Sequence, residues 1–239
     1  MLRTRIAITS AVISVAAAMS LAAFAGSAGA GTTPPDPGDF DNPVANPYFP
    51  LEPGTVFHYR GSEDGKLLHE RLTVTDRTKT IQGIATTVVR DILFARGHLA
   101  EKTSDWYATD NDGNVWYFGE ATATYDAHGH VISTEGSWEA GLDGAVAGTI
   151  MPATPHPTDA YRQEFYRGQA EDQAWVVQRG VRLRIPYGRV RHVVRTFEWT
   201  RLEAHVVSAK FYAPGLGIVM ERDVAGGDEF VELVRVESP

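Results

Sequence analysis

The chain has 239 residues, of which 43% are hydrophobic and 22% charged, with a formal net charge of −8 and no cysteine. Without cysteine, disulfides, thiolate nucleophiles and sulfur-ligated metals are excluded together, so packing and sheet hydrogen bonds must hold the fold. The acidic balance disfavours nucleic acid and anionic membrane surfaces as partners, although a local basic patch lies between Arg179 and Arg201.

Residues 1–30 read as a secretory signal peptide. Arg3 and Arg5 precede an apolar run from Ile6 to Phe24, and small residues follow, ending Ala28-Gly29-Ala30, which is the positive, apolar, A-x-A order of a cleavable leader. A transmembrane anchor is the alternative, but abundant Ala, Ser and Gly make it a poor one. No cysteine follows the run, so the anchor of a bacterial lipoprotein is not expected. Cleavage leaves Gly31 first, about 209 residues and a formal charge of −10 once the two leader arginines are lost. The expectation is a secreted protein, extracellular or in the cell envelope, with no stable membrane anchor.

Residues 31–54 carry Pro34, Pro35, Pro37, Pro43, Pro47, Pro50 and Pro53, which bars helix and central strand and predicts an arm or linker. The remainder, 55–239, reads as one β domain. Runs rich in Val, Ile, Thr and aromatics recur at 55–60, 67–76, 79–94, 98–109, 114–119, 147–151, 174–185, 189–200, 204–213, 216–223 and 229–236, an antiparallel all-β pattern. Asp110-Asn111-Asp112-Gly113 predicts a hairpin between 98–109 and 114–119. With a G1 bulge, Asp110 pairs with Asn114, placing Trp106, Trp116, Phe118 and Glu120 on one face and Asp105, Tyr107, Val115 and Tyr117 on the other. Ala225-Gly226-Gly227-Asp228 predicts a similar turn between the last two strands. Residues 134–155 are glycine- and proline-rich around Trp138 and Met151, and so long a loop is commonly functional. Residues 158–175 suit either a short helix or a bulged strand.

Several strings carry a family resemblance: Asn46-Pro47-Tyr48-Phe49-Pro50-Leu51; Asp105-Trp106-Tyr107-Ala108 followed by Asp112-Gly113-Asn114-Val115-Trp116-Tyr117-Phe118-Gly119-Glu120; Gly136-Ser137-Trp138-Glu139-Ala140-Gly141; Met151-Pro152-Ala153; Tyr161-Arg162-Gln163-Glu164; and Tyr212-Ala213-Pro214-Gly215-Leu216-Gly217. Together they resemble a family of secreted, actinobacterial-type β-rich proteins with no established activity. The last string also resembles the closing strands of curved-sheet, lipoprotein-like domains. The fold expected is an antiparallel barrel or strongly curved half-barrel, lipocalin-like or lipoprotein-carrier-like, with a Pro-rich N-terminal arm.

The feature furthest above background is acid interleaved with aromatic, from Glu101 through Asp105, Trp106, Tyr107, Trp116, Phe118, Glu120, Trp138, Glu139, Tyr161 and Glu164 to Asp172. The ordinary explanation is a β core filled by aromatics, with carboxylates bonded to turns and arginines. Two functions fit otherwise. One is a binding protein holding a small apolar, amphipathic or lipid-like ligand in a cavity lined by Trp106, Tyr107, Trp116, Phe118, Trp138 and Tyr161. The other is a carbohydrate-active enzyme with paired carboxylates, for which Glu120, Glu139 and Glu164 are the candidates. An envelope protein without a small-molecule site is the third possibility.

No metal site or cofactor is expected. Ala127-His128-Gly129-His130 suits a solvated turn, and the remaining histidines lack ligand spacing. The string from Asp110 to Asn114 lacks the glycine and closing glutamate of a calcium loop. There is no nucleophile elbow, zinc-protease helix, phosphate loop or dinucleotide fingerprint.

Overall fold

A computed structural model describes residues 34–239; the leader predicted at 1–30 lies outside the described residues. Fifteen strands follow one short 3-10 turn at Pro37–Phe40: β1 (Val56–Glu63), β2 (Lys66–Ile81), β3 (Ile84–Ala95), β4 (His98–Thr109), β5 (Val115–Tyr125), β6 (Val131–Ser133), β7 (Trp138–Glu139), β8 (Val146–Met151), β9 (Ala160–Arg162), β10 (Glu164–Phe165), β11 (Asp172–Ile185), β12 (Gly188–Thr200), β13 (Val207–Ala213), β14 (Gly217–Ala225) and β15 (Phe230–Glu237). They form one antiparallel sheet in the order β10-β8-β5-β4-β3-β2-β1-β15-β14-β13-β12-β11-β9, with β6 and β7 also on β5.

The sheet curls into a nearly closed barrel, and one segment supplies both its ends. β9 pairs with β11, while β10, beginning two residues after β9 ends, pairs with β8. The helix alternative for 158–175 is therefore not realised. Gln163 sits between the two short strands, and Tyr166 bridges to Ala170 in a tight return.

Local chemistry sets the long hairpins. Asp64-Gly65, Gln82-Gly83 and Arg96-Gly97 each have positive φ at both positions, the geometry of type I′ turns, whose twist matches that of the flanking strands. The strands expected at 67–76 and 79–94 are thus cut differently: β2 runs on to Ile81 through a bulge between Val74 and Thr78, and the chain reverses at Gln82-Gly83. Glutamine is a poor advertisement for positive φ, so the pattern placed this turn too early.

The proline-rich arm caps one end of the barrel. Asn46, 3% exposed, donates its side-chain amide to the carbonyls of Gly113 and Pro152 and accepts from the Tyr48 amide. Gly215 donates to the Pro47 carbonyl. These bonds set Phe49, Pro50 and Leu51 over Phe57, Tyr59, Leu72, Val74, Val89 and Tyr107, around an apolar chamber of only about 30 Å3. Further along the arm, Phe40 packs edge-on against Trp116 and Phe118 on the outer surface of the barrel.

Candidate functional site at the barrel seam

The β4–β5 hairpin has the predicted bulged turn. The Asp110 amide donates to the Asn114 carbonyl, and the Asp110 carboxylate accepts from the amides of Asp112 and Asn114, the Asn114 side chain and the Trp116 indole. Those bonds use the carboxylate fully as a turn cap. Tyr107 lies opposite Tyr117 and Ala108 opposite Trp116, so the expected faces hold as far as Phe118.

Glu120 departs from that expectation. Gly119 has φ +126°, and a Cβ there would collide with the Trp138 carbonyl oxygen; only glycine fits this bulge. The extra residue reverses the alternation, so Glu120 lies opposite Asp105. Glu120 therefore points into the barrel with Asp105 and Tyr107, away from Trp116 and Phe118.

The short strands at the seam complete the site. Trp138 pairs with Glu120, and Glu139 with Gly119, which sends Trp138 inward and Glu139 outward. Inside, the Trp138 ring stands at 88° on Tyr117, 5.3 Å between centroids, and its indole N–H and both oxygens of Glu164 lack hydrogen-bond partners among the described residues. Tyr107 stacks on Tyr117 at 4.8 Å, and Tyr117 donates its hydroxyl to Asp105 at 2.8 Å. Outside, Glu139 pairs with Lys79 at 2.7 Å, and that ammonium sits 3.3 Å above the Trp106 ring.

Two of the three candidate glutamates, Glu120 and Glu164, are thus brought together in the interior, and Glu139 is held apart as an outer ion pair. The six candidate aromatics also divide. Tyr107, Trp138 and Tyr161 belong to the inner face, whereas Trp106, Trp116 and Phe118 pack outside beneath Lys79 and Phe40. They do not line one cavity, because the alternation of the β4–β5 hairpin assigns adjacent aromatics to opposite faces.

The interior at the seam is acidic to a degree that composition did not reveal. Asp105, Glu120 and Glu164 are all at most 1% exposed. Burial, the largest cause, pushes each carboxyl well above its usual range, and mutual repulsion adds to it: Asp91 acts on Asp105, Asp105 and Glu164 act on Glu120, and Asp172 acts on Glu164. Asp172 rises to about 6 through burial, opposed by the Lys210 ammonium and a hydrogen bond from Thr200. Neither oxygen of Glu120 has a hydrogen-bond partner among the described residues, nor does the buried hydroxyl of Tyr107. That hydroxyl feels the charges of Asp105, Glu120 and Glu164. The shifts of Asp105, Glu120 and Glu164 favour the protonated form, in which a carboxyl can donate as well as accept.

A cleft of about 290 Å3 opens on the outer side of the seam, lined by Trp106, Ser137, Trp138, Glu139, Leu142 and Tyr166 among others, and Glu120 is the member of the acid group that borders it. It lies near the lower bound of about 300 Å3 for small-ligand sites. Among the described residues no group of three His, Asp or Glu side chains is arranged to hold a metal ion. Asp105 and Asp172 sat in the acid–aromatic series without being singled out. For Asp105 the signal was parity: Glu101, Thr103, Asp105 and Tyr107 occupy alternate positions of β4, one polar and aromatic face.

No protein-family model matches the chain, and no curated protein matches it. Two solved structures resemble it in outline. One, from Bacteroides fragilis, is assigned as an exported protein with a YmcC-like fold; it is 16% identical, with a TM-score of 0.46, covering 82% of this chain and all of its own. The other, from Parabacteroides distasonis, is assigned as a lipoprotein; it is 11% identical, with a TM-score of 0.44, covering 81% of this chain and all of its own.

Proposed function

We propose that this chain is an exported binding barrel whose seam takes a small, neutral, hydroxyl-bearing ligand such as a sugar unit. The observation that carries the reading is that the carboxyls of Glu120 and Glu164 and the Tyr107 hydroxyl have no hydrogen-bond partner among the described residues, with Glu120 at a cleft walled by Trp138, Tyr166 and Ser137. Protonated carboxyls offer donor and acceptor together, and flat aromatic faces stack on sugar rings. An apolar ligand is less well served. The chamber under the arm, at about 30 Å3, has room for about one water molecule.

Hydrolysis is the second reading, favoured by the convergence of Glu120 and Glu164, both with raised pKa, as an acid in such a pair requires. One substitution separates the two. Glutamine reproduces a protonated carboxyl in shape and hydrogen bonding, so Glu120→Gln retains sugar binding within about threefold, whereas Glu120→Ala loses at least about tenfold through unmade hydrogen bonds. Binding to a panel of neutral mono- and disaccharides, read by tryptophan fluorescence, checks this. Saccharide turnover that Glu120→Gln abolishes would replace binding with hydrolysis, and no response to any saccharide contradicts both.

A further inference from the structure

We propose that the outward face of the β11–β12 hairpin is a docking surface for the phosphate headgroups of an anionic phospholipid bilayer. Between Gln178 and His192 the chain has Arg179, Arg182, Arg184, Arg189 and Arg191 and no acidic residue, and all five arginines are exposed. None of them forms an ion pair among the described residues.

The hairpin's two faces differ in kind. Ile185 and Val190 are buried, with Val181 and Leu183 packed against the core, and Leu183 lies opposite Val190. On the other face Arg182 and Arg184 lie beside Arg189 and Arg191, and Arg184 sits directly opposite Arg189. Like charges in that relation destabilise a sheet, so folding alone gives no reason for them. The acids of the strand that meets the hairpin tip are engaged elsewhere. The hairpin tip is tied to β15 by the Tyr187 amide donating to the Leu233 carbonyl, and on that strand Glu237 pairs with Arg235 and His58, while Glu232 answers to Arg60.

The formal acidity of the chain does not oppose such a partner. Much of the acid surplus lies inside the barrel, at Glu70, Asp105, Glu120, Glu164 and Glu221, away from the hairpin's outward face, and burial raises each of these carboxyls toward the neutral form. The outer field around the hairpin is consequently far more positive than the overall charge implies. A bilayer fits better than a discrete anion or a nucleic acid. Arg182, Arg184, Arg189 and Arg191 spread over a two-stranded ribbon instead of converging, and Tyr187 stands 44% exposed at the tip between them, the amphipathic ring favoured at the headgroup level.

The test uses protein recovered as a secreting host releases it, sedimented with vesicles of phosphatidylcholine alone or mixed with phosphatidylglycerol. The expected result is binding to the anionic vesicles at least about tenfold tighter than to neutral ones, lost in high salt. Arg184→Gln with Arg189→Gln removes the like-charged pair without loss of thermal stability and weakens that binding severalfold; adding Arg182→Gln and Arg191→Gln weakens it at least about tenfold. Equal binding to both vesicle types, or undiminished binding by a folded double variant, overturns the proposal. So does binding to duplex DNA or polyphosphate without binding to vesicles.

Discussion

Two acidic regions inside the same barrel have opposite characters. Around Lys210 one carboxylate is fully engaged: Glu198 accepts from Gln163, Thr196, Tyr212 and the Lys210 ammonium at 2.7–3.1 Å, and Glu221 lies 3.7 Å from the same ammonium. At the seam, Asp105, Glu120 and Glu164 have no cation in hydrogen-bonding contact among the described residues, and Glu120 has no partner at all there. The residue types are the same; the partners decide their chemistry. The Lys210 hub uses Glu198 to hold β12 and β13 together, while the seam carboxyls, raised by burial, lack any such cation. This contrast locates the candidate site more firmly than aromatic content does.

The largest effect expected from breaking the contrast is at the hub. Lys210→Met leaves buried acid without its counter-charge and destabilises by about 3–5 kcal/mol, read as a fall in the denaturation midpoint. Next, Glu198→Gln costs about 2–3 kcal/mol, because a charged hydrogen-bond acceptor is lost, whereas Glu120→Gln changes stability by less than about 1 kcal/mol, since a neutral group replaces a neutral one. Equal losses in the two glutamine variants contradict the distinction.

Stability should also fall with rising pH. Glu101 and Glu221 are raised to about 8 by burial foremost, and Asp172 to about 6, so between the ordinary carboxyl range and about pH 8 the folded chain holds protons that the unfolded chain has released. Where the native state binds more protons, stability declines as pH rises. The stabilisation is complete below about pH 4 and is lost progressively up to about pH 8. The melting temperature is therefore higher at pH 5 than at pH 8, and a rise over that interval contradicts the protonated interior. The smallest effect is the expected flattening of this slope in Glu120→Gln.

Much of the frame was legible in the residues. Strand periodicity, the bulged turn at Asp110 and the inward parity of Asp105 and Tyr107 are local properties that a short window of sequence carries. What was not legible depends on backbone exceptions and on distant partners. Gly119 is one glycine among 23, and nothing local says that its bulge turns Glu120 inward. The turn at Gln82-Gly83 hides behind a residue rarely chosen for positive φ. Glu139 finds Lys79 sixty residues away, and Glu198 is answered from Gln163, Lys210 and Tyr212, contacts created only when β9 to β13 assemble. Alternating polar residues are ordinarily read as the solvent face; here, at the seam, the polar face is the inner one.

The proposed binding chemistry requires the seam carboxyls to be protonated at neutral pH. A carbon-13 NMR titration of side-chain carboxyl resonances from pH 4 to 9, assigned with Glu120→Gln and Glu164→Gln, tests it most directly. Resonances of Glu120 and Glu164 that stay at their protonated positions through pH 7 are the predicted result. Titration of both near pH 4.5, together with the exposed carboxylates, would contradict the account.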